Sequence, residues 1–160
     1  MTDRQGALGV LSLLDAPERE AAFDDFNARY RDDALVIDKW FALQAAAPRA
    51  DTLMVVEALR RHPDFSLRNP NRLRALVGSF AGNQVAFHQP SGAGYRLVAD
   101  LIIEVDAINP QVAARLVPPL GRWRRFVAPY AELMRAELER IVATPGLSKD
   151  VFEQASKSLG

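Results

Sequence analysis

Apolar residues recur along this chain three or four positions apart, the spacing of one helical face, and no segment alternates as a strand does. This pattern predicts about nine helices and an all-α fold. The clearest apolar faces are expected at Leu8 and Leu11; Phe23, Phe26 and Tyr30; Val36, Ile37, Trp40 and Phe41; Leu73, Leu76, Val77 and Phe80; Leu97, Val98, Leu101, Ile102, Val105 and Ile108; and Phe152 and Leu159.

Polar residues and prolines mark where these helices begin and end. Asn69-Pro70 and Asn109-Pro110 each provide an asparagine cap followed by a proline in the first helical turn. Further caps are predicted at Thr2 (with Gln5), Asp51 and Ser148. Pro118-Pro119 is expected to interrupt the seventh helix, because each ring removes an amide donor and crowds the preceding turn.

The two asparagine-proline starts are forty positions apart, and Leu116-Val117 likewise follows Leu76-Val77 by forty positions. A two-helix unit of a HEAT-like solenoid has about this length, roughly 40–47 residues. The sequence therefore predicts a superhelical stack of antiparallel helix pairs, a HEAT/armadillo-like α-solenoid, forming a single domain over residues 1–160.

Composition removes several classes of function. Twenty Lys and Arg balance twenty Asp and Glu, so nothing in the overall charge favours nucleic acid or an acidic membrane as a partner. The chain has no cysteine, which rules out disulfides and thiolate metal sites and is compatible with a cytoplasmic location. The apolar runs, such as Leu101-Ile102-Ile103, are too short to span a bilayer, and no export signal precedes them.

No catalytic motif is present. A zinc hydrolase typically places two histidines one helical turn apart with a glutamate between them, whereas His62 and His88 are far apart and are interpreted as surface or capping residues. Gly78-Ser79 lacks the second glycine of a serine hydrolase elbow, and Gly92-Ala93-Gly94 is interpreted as a flexible turn. Asp38 is interpreted as a partner in a surface salt bridge. We therefore expect no catalytic residue and no metal ligand in this chain.

Arginine is the informative residue type, since lysine is scarce. A guanidinium can bind a carboxylate through two parallel hydrogen bonds, so arginines on the inner face of adjacent repeats could hold a peptide C-terminus. Arg74 and Arg115 lie beside the apolar faces of their helices, near the start of each forty-residue unit. The alternative interpretation is that these arginines are solvated on the convex face or paired with neighbouring acids.

Three sequence blocks resemble aminopeptidase N, a gluzincin zinc peptidase family. They are Asp38-Lys39-Trp40-Phe41; Asn69-Pro70-Asn71-Arg72-Leu73-Arg74 continuing to Phe87-His88 and Gly92-Ala93-Gly94-Tyr95; and Asn109-Pro110-Gln111 continuing to Arg115. The resemblance implies that this chain corresponds to the latter portion of the C-terminal helical domain, which closes over the active site. It also implies that the zinc ion and its ligands lie elsewhere in the same polypeptide, that the fragment alone is inactive, and that short peptides are the substrates.

The resemblance also implies that the positions of Arg74 and Arg115 line the internal chamber of the enzyme. Both arginines are therefore expected to bind the carboxylate end of a peptide. The expected partner is the catalytic domain of the same polypeptide. The alternative is a free-standing α-solenoid that binds peptides or a protein. An RNA-binding repeat is disfavoured by the neutral charge.

Overall fold

The computed structural model describes residues 1–160 and consists of helices joined by turns, with no strand. One helix, α5, has three consecutive parts: Pro70–Leu73, the π-helical turn Arg74–Gly78, and Ser79–Ala81. The others are α1 (Thr2–Ser12), α2 (Glu18–Tyr30), α3 (Ala34–Ala45), α4 (Thr52–Leu59), α6 (Ala93–Asp106), α7 (Pro110–Ala114), α8 (Pro118–Gly121), α9 (Tyr130–Val142) and α10 (Lys149–Leu159). The all-α prediction is confirmed, and the helices number nine if α7 and α8 are the two halves of the interrupted seventh.

The chain forms two compact units, Met1–Ala86 and Phe87–Gly160. In the first unit, α3 lies at the centre and packs against α1, α2, α4 and α5. Its core side chains are almost completely removed from water, Ile37 and Phe41 among them. Burial of such apolar area is the main force that holds a short helix in place.

In the second unit, α6 packs against α7 and α9, while α10 packs against α7, α8 and α9. The buried face of α6 is the one that the sequence predicts, apart from Ile108, which lies beyond the end of the helix. Each unit has its own buried core. The expectation of one domain over residues 1–160 stays a prediction.

Both asparagine-proline starts are confirmed as helix caps. Asn69 Oδ1 accepts hydrogen bonds from the backbone N–H of Asn71 and Arg72, each at 3.1 Å. Asn109 Oδ1 accepts one from Val112 N at 3.2 Å. Both asparagines have extended backbone angles, and proline follows as the first helical residue. The forty-residue repeat therefore reflects the same local structure at two places in the chain.

Two other predicted caps are wrong. Thr2 is already the first helical residue of α1, so its hydroxyl does not occupy the capping position. Asp51 precedes α4 but makes no capping hydrogen bond. Its carboxylate instead binds the guanidinium groups of Arg49, at 2.8 Å, and Arg19, at 3.3 Å. The two guanidinium groups therefore occupy the carboxylate oxygens that a cap would use.

Two predicted faces also differ from the structure. Phe152 is 47% exposed, whereas Val151 and Ala155 are buried, so α10 turns a different side to the core. A shift of one residue rotates a helix face by about 100°. Tyr30 is only half-buried, although Phe23 and Phe26 on the same helix are buried as predicted.

Candidate functional site

Arg74 opens the π-helical turn of α5, and its side chain is exposed. Its guanidinium forms no ion pair and no hydrogen bond with the rest of the chain. The stem of the side chain lies against Gly78: a Cβ atom added to Gly78 would lie 3.3 Å from Arg74 Cγ. A π turn inside an α-helix is rare and occurs frequently at functional sites.

Arg115 directly follows α7 and is also exposed, with no ion pair or hydrogen bond of its side chain. It lines a shallow cleft of about 370 Å³ where α7 faces α10. The other lining residues are Gln111, Ala114, Asp150, Glu153, Gln154 and Lys157. The charges in this lining are mixed: Arg115 and Lys157 are basic, Asp150 and Glu153 are acidic, and Glu153 is paired with Lys149 at 3.6 Å. The apolar spacing does not single out Lys157, because it predicts a different buried face for α10.

The two candidate arginines belong to different compact units, Arg74 to the first and Arg115 to the second. At the forty-residue offset, Arg74 corresponds to Ala114 and Arg115 to Ala75, so the two positions are one residue out of register. The role of both as carboxylate contacts stays a prediction.

The motif residues around these arginines hold helices together. Arg72 Nε donates to Asp38 Oδ1 at 2.6 Å, and the side chains are only 9% and 18% exposed. Arg72 also donates to the carbonyl oxygen of Asp64, and its guanidinium lies 5.2 Å from the ring centroid of Phe41. Asp38 therefore forms a largely buried ion pair between α3 and α5, where the sequence predicted a surface salt bridge.

Asn83 forms a second polar link in the first unit. Its side chain is almost fully buried, and its amide nitrogen donates to the carbonyl oxygens of Ala45, at 3.1 Å, and Ala47, at 2.8 Å. Its amide oxygen accepts from the backbone N–H groups of Val85 and Ala86. The side chain thus joins the end of α3 to the loop after α5 with all of its main donors and acceptors satisfied.

In the second unit, His88 and Tyr95 pair at the start of α6. His88 Nδ1 lies 2.7 Å from Tyr95 Oη, and the imidazole stacks on Phe126 with centroids 4.3 Å apart. Burial lowers the pKa of His88 and, with the negative charge of an ionised Tyr130, raises the pKa of Tyr95 to about 12. Both groups are therefore neutral near pH 7. The turn between them contains Gly92, whose positive φ of 72° favours glycine.

The lowered pKa of His88 has a measurable consequence for stability. Below about pH 6.5 the unfolded chain binds more protons at this histidine than the folded chain, so the free energy of unfolding falls as pH drops. We expect the denaturation midpoint to decrease between pH 7.5 and pH 5.5, and to decrease less in a His88→Asn variant. Chemical denaturation of both proteins at the two pH values measures the difference. An equal decrease of the midpoint in the two proteins would contradict a contribution of His88 to the pH dependence of stability.

The basic segment around Trp123 has a structural role. Trp123 Nε1 donates to the carbonyl oxygen of Ser158 at 3.0 Å, and Arg124 donates to the carbonyl oxygens of Ser158 and Leu159. The Arg124 guanidinium also lies 4.3 Å from the centroid of the Trp123 ring. These contacts satisfy carbonyl groups that the end of α10 would otherwise leave without partners.

Residues 1–160 bring together no group of three or more His, Cys, Asp or Glu side chains that could hold a metal ion. No helix among them has the length and apolar character needed to cross a membrane. The candidate residues are the exposed guanidinium groups of Arg74 and Arg115, each in its own unit; a guanidinium can bind an anion through paired hydrogen bonds.

Comparison with known proteins gives matches over the whole chain. A family model described as "Domain of unknown function (DUF3458_C) ARM repeats" matches residues 1–160. Aminopeptidase N of Caulobacter vibrioides is 55% identical over 161 residues, which are 100% of this chain and 19% of that protein. Aminopeptidase N of Haemophilus influenzae is 47% identical and that of Escherichia coli 41%, each over 99% of this chain and 18% of the relative.

A solved structure shows the same fold. The crystal structure of Legionella pneumophila aminopeptidase A in complex with aspartic acid matches 99% of this chain with a TM-score of 0.95 and 36% identity, over 19% of that protein. The chain thus spans about a fifth of the length of the proteins that it resembles, and it corresponds to the C-terminal part of the curated relatives.

Proposed function

Because the chain belongs to the ARM-repeat domain family DUF3458_C and matches aminopeptidase N over its whole length, we propose that it encloses the substrate chamber of a zinc-dependent aminopeptidase N. The observation that carries this proposal is the 55% identity to a curated aminopeptidase N across the complete chain. The parent enzyme removes N-terminal residues from short peptides, and this domain is its C-terminal wall. Its partner is the catalytic domain of the same polypeptide, and the proposal includes a cytoplasmic location.

The zinc ion belongs to the rest of that polypeptide. The side chains of residues 1–160 do not fit a zinc site, since none of their His, Asp and Glu side chains converge as a set of ligands. We therefore expect the isolated domain to be inactive. The alternative of a free-standing binding module gains no support from the relatives, of which this chain is about a fifth.

Arg74 and Arg115 are the residues that we assign to substrate binding. Both are exposed, and neither guanidinium is used by another side chain of the chain. They differ in this from Arg72, whose hydrogen bonds are taken by Asp38 and the Asp64 carbonyl. A free guanidinium can bind a peptide carboxylate without first breaking an internal ion pair, so its electrostatic gain is available to the substrate.

The test is kinetic and uses the full-length enzyme. For Arg74→Ala and Arg115→Ala, we expect kcat/KM for dipeptides to fall roughly 10- to 100-fold, the value of a lost charge-assisted hydrogen bond. The loss should reside mainly in KM, because the contact is present both before and during the reaction. Hydrolysis of the same N-terminal residue from an uncharged chromogenic leaving group should be unchanged.

Arg31→Ala provides a matched control, since Arg31 is an exposed arginine at the end of α2. This variant should have the wild-type kcat/KM for both substrates. Equal changes on the dipeptide and on the uncharged substrate would show that Arg74 and Arg115 do not bind the carboxylate.

A further inference from the structure

Gly78 occupies the interior of α5, four residues after Arg74. Apart from proline, glycine is the least favourable residue inside a helix. The backbone does not require it here: φ is −63° and ψ is −43°, ordinary helical angles that alanine adopts equally well. The reason for glycine must therefore lie in what a side chain would meet.

A side chain at position 78 would meet Arg74. Leaving out the backbone of the helix itself, Arg74 Cγ is the single heavy atom within 4 Å of an added Cβ, at 3.3 Å. That distance is tighter than ordinary van der Waals contact, so the stem of Arg74 would have to shift. The missing side chain of Gly78 thus leaves the space through which the Arg74 side chain runs.

The backbone between the two residues is also unusual. The π turn begins at Arg74 and ends at Gly78, so the same five residues contain the wide turn, the exposed arginine and the space for its stem. No acidic side chain holds the guanidinium from its other end. The contact limit at position 78 is therefore the one restriction on the path of the Arg74 stem that this helix shows outside its own backbone.

We propose that Gly78 is a positioning residue that sets the direction of Arg74 toward the carboxylate of a peptide substrate. This inference rests on the proposed function of Arg74. It assigns to Gly78 a role in substrate selectivity, and it explains why a glycine stands inside a helix whose backbone has no need of one.

The experiment compares Gly78→Ala, Gly78→Val and Arg74→Ala in the full-length enzyme, with a dipeptide and an uncharged chromogenic substrate. For Gly78→Ala we expect KM for the dipeptide to rise roughly fivefold, because a displacement of a few tenths of an ångström weakens a directional contact. Gly78→Val should approach the effect of Arg74→Ala. With the uncharged substrate, both glycine variants should match the wild type.

Two further measurements separate positioning from folding. Alanine favours helix more than glycine does, so the melting temperature of Gly78→Ala should be equal to or above that of the wild type. Because both changes act on one contact, Gly78→Ala combined with Arg74→Ala should behave as Arg74→Ala alone. Gly82→Ala is the matched control at the end of the same helix, since its added Cβ would make only ordinary contacts. It should leave the kinetic constants for both substrates unchanged.

The outcomes are distinguishable. One outcome is that Arg74→Ala raises KM for the dipeptide alone while neither glycine variant does so. That result would overturn the role of Gly78 and leave the proposed function standing. No selective loss in Arg74→Ala would overturn the role of Arg74 and the inference with it. Equal losses on both substrates together with a lower melting temperature in Gly78→Ala would make Gly78 a structural residue.

Discussion

Replacing Arg72 with methionine should lower the free energy of unfolding of the chain by about 3–5 kcal/mol, because it leaves the Asp38 carboxylate largely buried without its partner. The variant also loses the hydrogen bond to the Asp64 carbonyl and the contact with the Phe41 ring. A domain of this size loses about 2–4 °C of melting temperature for each kcal/mol, so the change is large in a thermal scan. Denaturant titration of both proteins measures it directly.

A matched control is the Arg29→Met variant. Arg29 pairs with Asp25 at 2.7 Å on the surface of α2, with both side chains more than half exposed. Because water screens such a pair, we expect the free energy of unfolding of this variant to be close to that of the wild type. The double variant Asp38→Leu with Arg72→Met should recover much of the loss, since it leaves no buried charge unpaired. Equal effects of the Arg72 and Arg29 substitutions would contradict a stabilising role for the buried pair.

Removal of the Asn83 amide is the second large effect that we expect. Asn83→Ala leaves the carbonyl groups of Ala45 and Ala47 and the N–H groups of Val85 and Ala86 without this partner. Buried polar groups that lose their partners are costly, and the expected loss in free energy of unfolding is about 2–4 kcal/mol. Equilibrium denaturation in urea measures it.

The neighbouring Gln84→Ala is a suitable control, because Gln84 is exposed, and it should change the free energy of unfolding by no more than about 0.5 kcal/mol. Asn83→Asp is a sharper variant: it keeps the accepting oxygen but turns the donating nitrogen into an oxygen that faces two carbonyl groups. The Asn83→Asp substitution should lower the free energy of unfolding at least as much as Asn83→Ala does. An Asn83→Asp protein as stable as the wild type would exclude the assigned hydrogen bonds.

Helix positions and their starts were readable from the sequence because they depend on neighbouring residues. Asn69, Asn109 and Ser148 act as caps through contacts with residues two or three positions away, which a local pattern encodes. The interruption at Pro118-Pro119 has the same local origin, because proline lacks the amide donor that a helix interior needs.

Contacts between distant residues were not readable in the same way. Asp38 and Arg72 are 34 positions apart, and nothing in either neighbourhood distinguishes a buried ion pair from two solvated side chains. The failed cap at Asp51 has this cause in part, since Arg19 from another helix binds its carboxylate together with the neighbouring Arg49. Polar residues in particular have several possible partners, and only the packed chain selects among them.

The candidate site was predicted in part. The sequence and its resemblance named Arg74 and Arg115, but the π turn and the contact with Gly78 depend on the backbone and could not be read from apolar spacing. The signal available in the sequence is a glycine four residues after an arginine in the interior of a predicted helix. Asp38 and Tyr95, which belong to the motifs that carry the resemblance, are half-buried and buried, respectively, and form contacts within their own units.

The most direct test of the central claim is a crystal structure of the full-length enzyme, inactivated at its catalytic base, with a bound tripeptide. We predict that the terminal carboxylate lies within about 3.5 Å of the guanidinium of Arg74 or Arg115. A peptide whose carboxylate lies beyond the reach of both arginines would contradict their assignment to substrate binding, and a peptide chamber with no residue of this domain in its lining would contradict the assignment of this chain to the chamber wall.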